Sequence, residues 1–250
     1  MRPVPTAGWL ALYESKKDLL APPADLPAYF TAANIAGIQL DRLSLGNIHF
    51  PTGDFLVCDP LVYLGRSSSL YFQPVPVGSF PLTACVAKIE EDHYRFVAVQ
   101  VLFSDEAPVR FTEALIGSED LENLSPGEYY GFNVDAGLGT IADAATRDAY
   151  MDFYERWTQD NPGKNIYDDY FAAIFAQSYK DQPLYQRKDG DYINWTIPGT
   201  ELSLPMFQSG FGDGAYPVYM GWDAQGAVCQ LIIQFIDLEL AFGEQSENDA

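Results

Sequence analysis

The sequence predicts an α+β fold: an antiparallel β-sheet system of hairpins and meanders, with helices packed at its sides, in a single domain over residues 1–250. Three observations carry this expectation. The 20 glycines and 17 prolines cut the chain into short segments, of strand length more often than helix length. Two stretches, 78–105 and 216–237, read as paired apolar runs joined by polar turns. Between them, Tyr150, Phe153, Tyr154 and Trp157 fall on one helical stripe.

Taken in order, residues 1–37 form a peripheral helical segment. Trp9, Leu10, Leu12, Tyr13, Leu19 and Leu20 recur near helical spacing, Pro22-Pro23 interrupts them, and Asp25 is placed to cap a second short helix bearing Leu26, Tyr29 and Phe30. Short alternations follow at Ile38 and Leu43, with Gly46 and Pro51-Thr-Gly53 as turn signals. Asp54-Phe-Leu-Val-Cys-Asp59 reads as a buried strand stopped by Pro60.

The clearest hairpin joins a strand over 80–89 to one over 94–103 through Glu90-Glu-Asp-His93. Both faces of the second strand are apolar, so it is covered on both sides. A strand at Val109-Arg-Phe-Thr-Glu-Ala-Leu extends this meander. An acidic loop over 119–127 leads to a strand over 129–134, closed by Asp135-Ala-Gly-Leu-Gly139. Asp143 caps a helix that Asn161-Pro-Gly163 ends, and a second helix spans 167–179 with Tyr170, Phe171, Ile174 and Phe175 inward. Short strands near 194–197 and 201–206 lead to the loop Ser209-Gly-Phe-Gly-Asp-Gly214. The terminal hairpin turns at Asp223-Ala-Gln-Gly226, and its second strand is central. The polar tail, 243–250, frays.

The chain is 48% hydrophobic and 14% aromatic, enough to fill a sizeable core. Its net charge is −21, from 35 acidic and 14 basic residues. Such a surface repels nucleic-acid phosphates and anionic membranes and attracts a basic partner. Cys58, Cys85 and Cys229 sit singly in apolar runs, which fits buried thiols rather than a disulfide frame. With no CxxC and only His49 and His93, no structural zinc site and no cofactor are expected. Nothing after Met1-Arg-Pro-Val-Pro resembles an apolar leader and no run approaches membrane-spanning length, so the expected location is the cytoplasm.

Three groups of residues are candidates for chemistry. Gly210-x-Gly212-x-Gly214 has the spacing of a phosphate loop, but a proline-bearing strand follows where a helix is required, so the glycines fit positive φ or close backbone approach. Asp135 and Asp143 flank glycines, and Asp213 lies within the glycine loop beside Ser209 and Tyr216. If the loops converge, the carboxylates share a pocket for acid–base work; otherwise each fixes its own turn. Glu119, Asp120 and Glu122 form an acidic loop suited to steering a basic protein. Ser209 lies in no GxSxG, and His93 reads as a solvated turn residue and His49 as a strand residue, so no nucleophilic triad is legible.

Four stretches together resemble a bacterial family of unknown function, DUF4241: Gly53-Asp-Phe-Leu-Val-Cys-Asp-Pro-Leu, Pro76-Val-Gly-Ser-Phe-Pro-Leu, Gly131-Phe-Asn-Val-Asp-Ala-Gly-Leu-Gly with Asp143, and Ser209-Gly-Phe-Gly-Asp-Gly-Ala-Tyr-Pro-Val-Tyr. The last is the most specific. The resemblance brings no catalytic residues with it. Some uncharacterised families of this general kind supply immunity proteins to secreted bacterial toxins. The expected function is therefore an acidic cytoplasmic binding protein, in its sharpest form an immunity protein that occludes the active site of a basic toxin. The alternative is an enzyme of unassigned chemistry using Asp135, Asp143 and Asp213 in a shared pocket.

Overall fold

The computed structural model describes residues 1–243; most of the polar tail expected to fray lies outside them. The chain begins with helix α1 (Ala7–Lys16), capped by Thr6, and a 3-10 turn (Lys17–Leu20). Helix α2 (Leu26–Thr31) follows, with the Asp25 side chain accepting from the Ala28 N–H as its sequence position predicts. Then come β1 (Asn34–Ile35), β2 (Ile38–Phe50), β3 (Phe55–Cys58), β4 (Gly78–Glu90), β5 (His93–Leu102), β6 (Arg110–Glu113), β7 (Phe132–Val134) and β8 (Leu138–Asp143). Helix α3 (Ala144–Asp160) and a π-turn (Tyr167–Phe171) running into α4 (Ala172–Asp181) precede β9 (Tyr192–Thr196), β10 (Ser203–Gln208), β11 (Gly214–Tyr216), β12 (Val218–Trp222) and β13 (Val228–Gln234). Helix α5 (Leu238–Phe242) closes the described chain.

Every strand pairing is antiparallel, and the fold is α+β. A seven-stranded sheet runs β1-β2-β4-β5-β13-β12-β6. A four-stranded sheet runs β3-β8-β10-β9, and β7 pairs with β11 as a separate ribbon. Side chains alternate across the four-stranded sheet and so divide two cores. Phe55, Val57, Ile141 and Phe207 join the large cluster that fills the space against the seven-stranded sheet. Leu56, Cys58, Leu138, Ala142, Trp195 and Met206 face the opposite way, into a second cluster closed by Tyr150 and Phe153 of α3 and Phe171 and Phe175 around the start of α4. This double coverage is why β3 reads as an unbroken apolar run.

Several details differ from the sequence reading. The strand at Arg110–Glu113 does not continue the meander beside β5; β13 occupies that position, and β6 pairs with β12 at the sheet's far edge. Gly46 is not a turn. It lies in a bulge between Ser44 and Asn47 within one long β2, where the Asn194 carboxamide donates to Leu45 O (3.1 Å) and Asn47 O (2.9 Å) and so satisfies carbonyls the bulge frees. Tyr129 and Tyr130 precede the strand instead of belonging to it.

Parts of the N-terminal segment reach the interior. Leu26 and Tyr29 lie in the main core. The Tyr29 hydroxyl bonds to Ile236 O (3.1 Å), Leu238 N (3.0 Å) and the Gln234 carboxamide (3.3 Å), so α2 is tied to the end of the central strand. Helix α1 covers a third, smaller cluster around Tyr13, Leu115 and Leu121.

Candidate functional site

The two glycine-bearing turns meet. Strands β7 and β11 pair with Val134 opposite Gly214 and Asn133 opposite Ala215, so Asp135 and Asp213 flank the same end of this ribbon. The Ser209 N–H donates to Gly137 O (3.1 Å), locking the loop after β10 to the turn before β8. Asp135, Ser209, Asp213 and Tyr216 are thus brought into one neighbourhood, as the converging-loop expectation requires.

Their hydrogen bonds are those of loop fasteners. The Ser209 and Tyr216 hydroxyls both donate to Gly212 O, at 2.9 and 2.7 Å. Exposed Asp135 accepts from the Tyr63 hydroxyl, and Asp213 is exposed. The residue that shapes this corner is Asp59, which is fully buried. One of its oxygens accepts from Leu61 N (2.9 Å), the other from Asp135 N (3.1 Å) and Ala136 N (2.6 Å). A carboxylate beside a proline was readable as a turn residue; its second bond set, to a turn 76 residues away, was not.

Asp143 does not share this place. It ends β8, whose two ends stand roughly 17 Å apart as extended strand. Its buried carboxylate accepts from Thr52 N (3.0 Å), Gly53 N (3.0 Å), the Thr52 hydroxyl and Ala145 N (2.8 Å), so it pins the 52–53 turn while capping α3. The three-aspartate pocket is thereby corrected to two loop aspartates and one distant cap. Among the described residues no cluster of three or more His, Cys, Asp or Glu is placed to hold a metal ion.

The acidic loop has a different character. Glu119 is half-buried and its carboxylate accepts from the successive N–H groups of Ile116 (2.5 Å), Gly117 (2.8 Å) and Ser118 (2.9 Å), while its carbonyl takes the Trp9 indole N–H (3.0 Å). It is a loop anchor rather than a free steering charge. Asp120 and Glu122 are exposed. A concavity of about 490 Å³ is lined by Asp120, Asn123, Leu124, Glu128, Tyr129 and Tyr130. On the other side of Tyr130, a cleft of about 430 Å³ runs past Tyr63, Tyr71, Glu119 and Asn133. No basic side chain lines either one.

The field in this region is strongly negative. Burial, then Asp120, Glu119, Glu113 and Glu128, push the Tyr130 hydroxyl up to about 12. Glu113, at the end of β6, is a residue that the sequence reading placed only as part of a strand. Its carboxylate is 1% exposed and accepts from Tyr130 N (2.9 Å) and Gly131 N (2.7 Å). Burial pushes it up to about 7, against the opposing pull of those two bonds. The signal that could have singled it out is an acid immediately followed by the apolar run Ala-Leu-Ile.

No helix among the described residues is long and apolar enough to cross a membrane. No curated protein matches the chain, and no solved structure does. One family model does match, over residues 48–233, which take in the whole of the converging-loop corner and the acidic loop. The chain belongs to that family, DUF4241, described as proteins of unknown function.

Proposed function

We propose that this protein is an acidic binding protein that seats a basic protein partner on the Glu119–Tyr130 loop, and in its sharpest form an immunity protein of the cytoplasm that covers the active site of a basic bacterial toxin. The observation that supports this reading is the concavity lined by Asp120, Glu128, Tyr129 and Tyr130 without a compensating cation. Tyrosine faces accept a guanidinium or ammonium group, and exposed carboxylates beside them supply the charge. Tyr129, 46% exposed, is held in place by its hydroxyl bond to Ala215 O (3.0 Å), and Tyr130 by its bond to Asp120 O (2.7 Å), so little ordering is required on binding. A net charge of −21 would speed encounter with a basic protein and make it salt-sensitive.

The test is a pull-down with the full chain from source-organism lysate at low and high salt, read by mass spectrometry and repeated with Asp120→Asn, Glu122→Gln and Glu128→Gln combined. A basic, stoichiometric partner that is lost at high salt and weakened by the triple substitution supports the reading. Retention unchanged by both salt and substitution overturns it.

A further inference from the structure

The glycine loop borders a third cavity, of about 230 Å³, whose lining carries basic side chains. Two of the chain's 14 basic residues, Arg95 of β5 and Arg187 of the turn before β9, line it together with Gln208 and the Gly210–Gly212 backbone. Among the described residues no carboxylate lines it. Arg95 is half-buried and, among the described residues, its side chain makes one hydrogen bond, to a backbone carbonyl, Tyr94 O (2.9 Å). Burial and then the nearby Arg187 charge lower its pKa, against an opposing pull from Asp191.

Arg187 is held from behind. Asp191, 1% exposed, accepts its Nε (2.7 Å) and Nη2 (2.5 Å) on one oxygen and its backbone N–H (2.6 Å) on the other. Asp189 also lies close enough to act on Arg187, but neither aspartate lines the cavity, so the charged groups that face it are the two guanidinium groups. Gln208, 3% exposed, also lines the cavity, and its carboxamide can both donate and accept toward an occupant. Tyr167 and Phe175 complete an apolar wall.

We propose that this cavity is a binding site for a small oxyanion, a carboxylate- or phosphate-bearing metabolite held by the Arg95 and Arg187 guanidinium groups and the Gln208 carboxamide. Guanidinium groups match both oxyanions in fork geometry. The volume lies below the roughly 300–1,000 Å³ of pockets for drug-sized ligands, which restricts the occupant to a small mono- or diacid or a simple phosphate. This is not the dinucleotide loop that the glycine spacing suggests, because β11 rather than a helix follows the glycines. The site is separate from the acidic loop and stands whether or not a basic protein binds there.

Calorimetric titration of the full chain tests it, with inorganic phosphate and with succinate as separate probes, at an ionic strength fixed with chloride. Saturable binding of at least one probe is expected, and which one binds tells phosphate from carboxylate recognition. Arg95→Gln should weaken it by about ten- to a hundredfold. Arg66→Gln, a surface arginine bonded to Asp152 and Glu155, should leave it unchanged. Should Arg95→Gln fail to fold, amide shifts of the wild-type protein decide, since the Gly210 and Gly212 resonances must move with saturation. No saturable binding of either probe, equal affinity in Arg95→Gln, or binding that leaves the glycine-loop amides unmoved overturns the proposal.

Discussion

Replacing Glu113 by Gln should stabilise the protein at pH 8 and do little at pH 4. The carboxyl is buried, ionises near 4.5 in the unfolded chain and near 7 in the folded one. Below 4.5 it is protonated in both states and carries no charge penalty. As pH rises toward 7 the unfolded chain ionises first, so folded-state stability falls, and above 7 the loss is complete. At about 1.4 kcal/mol per pH unit between the two pKa values, the loss is about 3 kcal/mol. Gln retains an oxygen for the Tyr130 and Gly131 N–H groups and never ionises. Urea unfolding of both proteins at pH 4, 6 and 8 measures the difference directly, because every other titrating group is common to the two. The expected outcome is a gap that is near zero at pH 4 and opens through pH 6 to about 3 kcal/mol at pH 8. A pH-independent gap, or one that shrinks with rising pH, would refute the reasoning that burial dominates at this carboxylate.

Asp143→Ala removes the acceptor for three backbone N–H groups and a hydroxyl at a fully buried site, and should cost about 3–5 kcal/mol in a chemical melt. Gly210 has φ +60°, and a Cβ there would lie 2.9 Å from Phe235 Cβ and 3.0 Å from Ile236 Cγ1; Gly210→Ala should cost about 2–4 kcal/mol. Gly163→Ala, at φ +80° in open space, should cost about 1 kcal/mol, and similar melting shifts for the two would remove the packing argument. The thiols of Cys58, Cys85 and Cys229 are free and buried, with Cys85 pushed up to about 12 by burial. A thiol reagent at pH 8 should therefore find none of them within minutes in the native protein and all three in urea.

The hairpins were legible because their determinants are local. Period-two apolar runs on either side of a polar turn specify β4 with β5 and β12 with β13, and Asp223 closes the latter turn by accepting from Gln225 N and Ala227 N. Alternation marks a strand but does not name its neighbour. That is why Arg110–Glu113 was expected beside β5 when the more distant β13 holds the place. The helix caps Asp25 and Asp143 could be read for the same local reason. Ser209 was read only as a candidate binding residue, and its bond to Gly212 O, which fastens its own loop, came with the structure. The site was hidden where a side chain reaches across the fold: Asp59 to the 135–136 turn, Glu113 to Tyr130 and Gly131. Arg95 was equally hidden. A single arginine in an apolar strand shows no sign of the second guanidinium that the 187–191 turn brings beside it. The overall charge of −21 argued against nucleic-acid phosphates and anionic membranes, yet a total says nothing of how charge is distributed.

The position of β13 bears on how the chain matures on the ribosome. β5 is synthesised early, but the partner that pairs Gln230 with Leu102 and Gln234 with Ala98 emerges only after both smaller sheets have been made. Until then the β4–β5 hairpin presents an unpaired backbone edge with Val97, Val99 and Val101 beside it, a template for any other extended chain. Nascent molecules crowded on one message would be drawn to each other through that edge. Closure by β13, fastened through Tyr29 to the first part of the chain, is the step that ends the hazard. Chains truncated ahead of Val228 should accordingly accumulate as aggregates in place of a smaller folded protein.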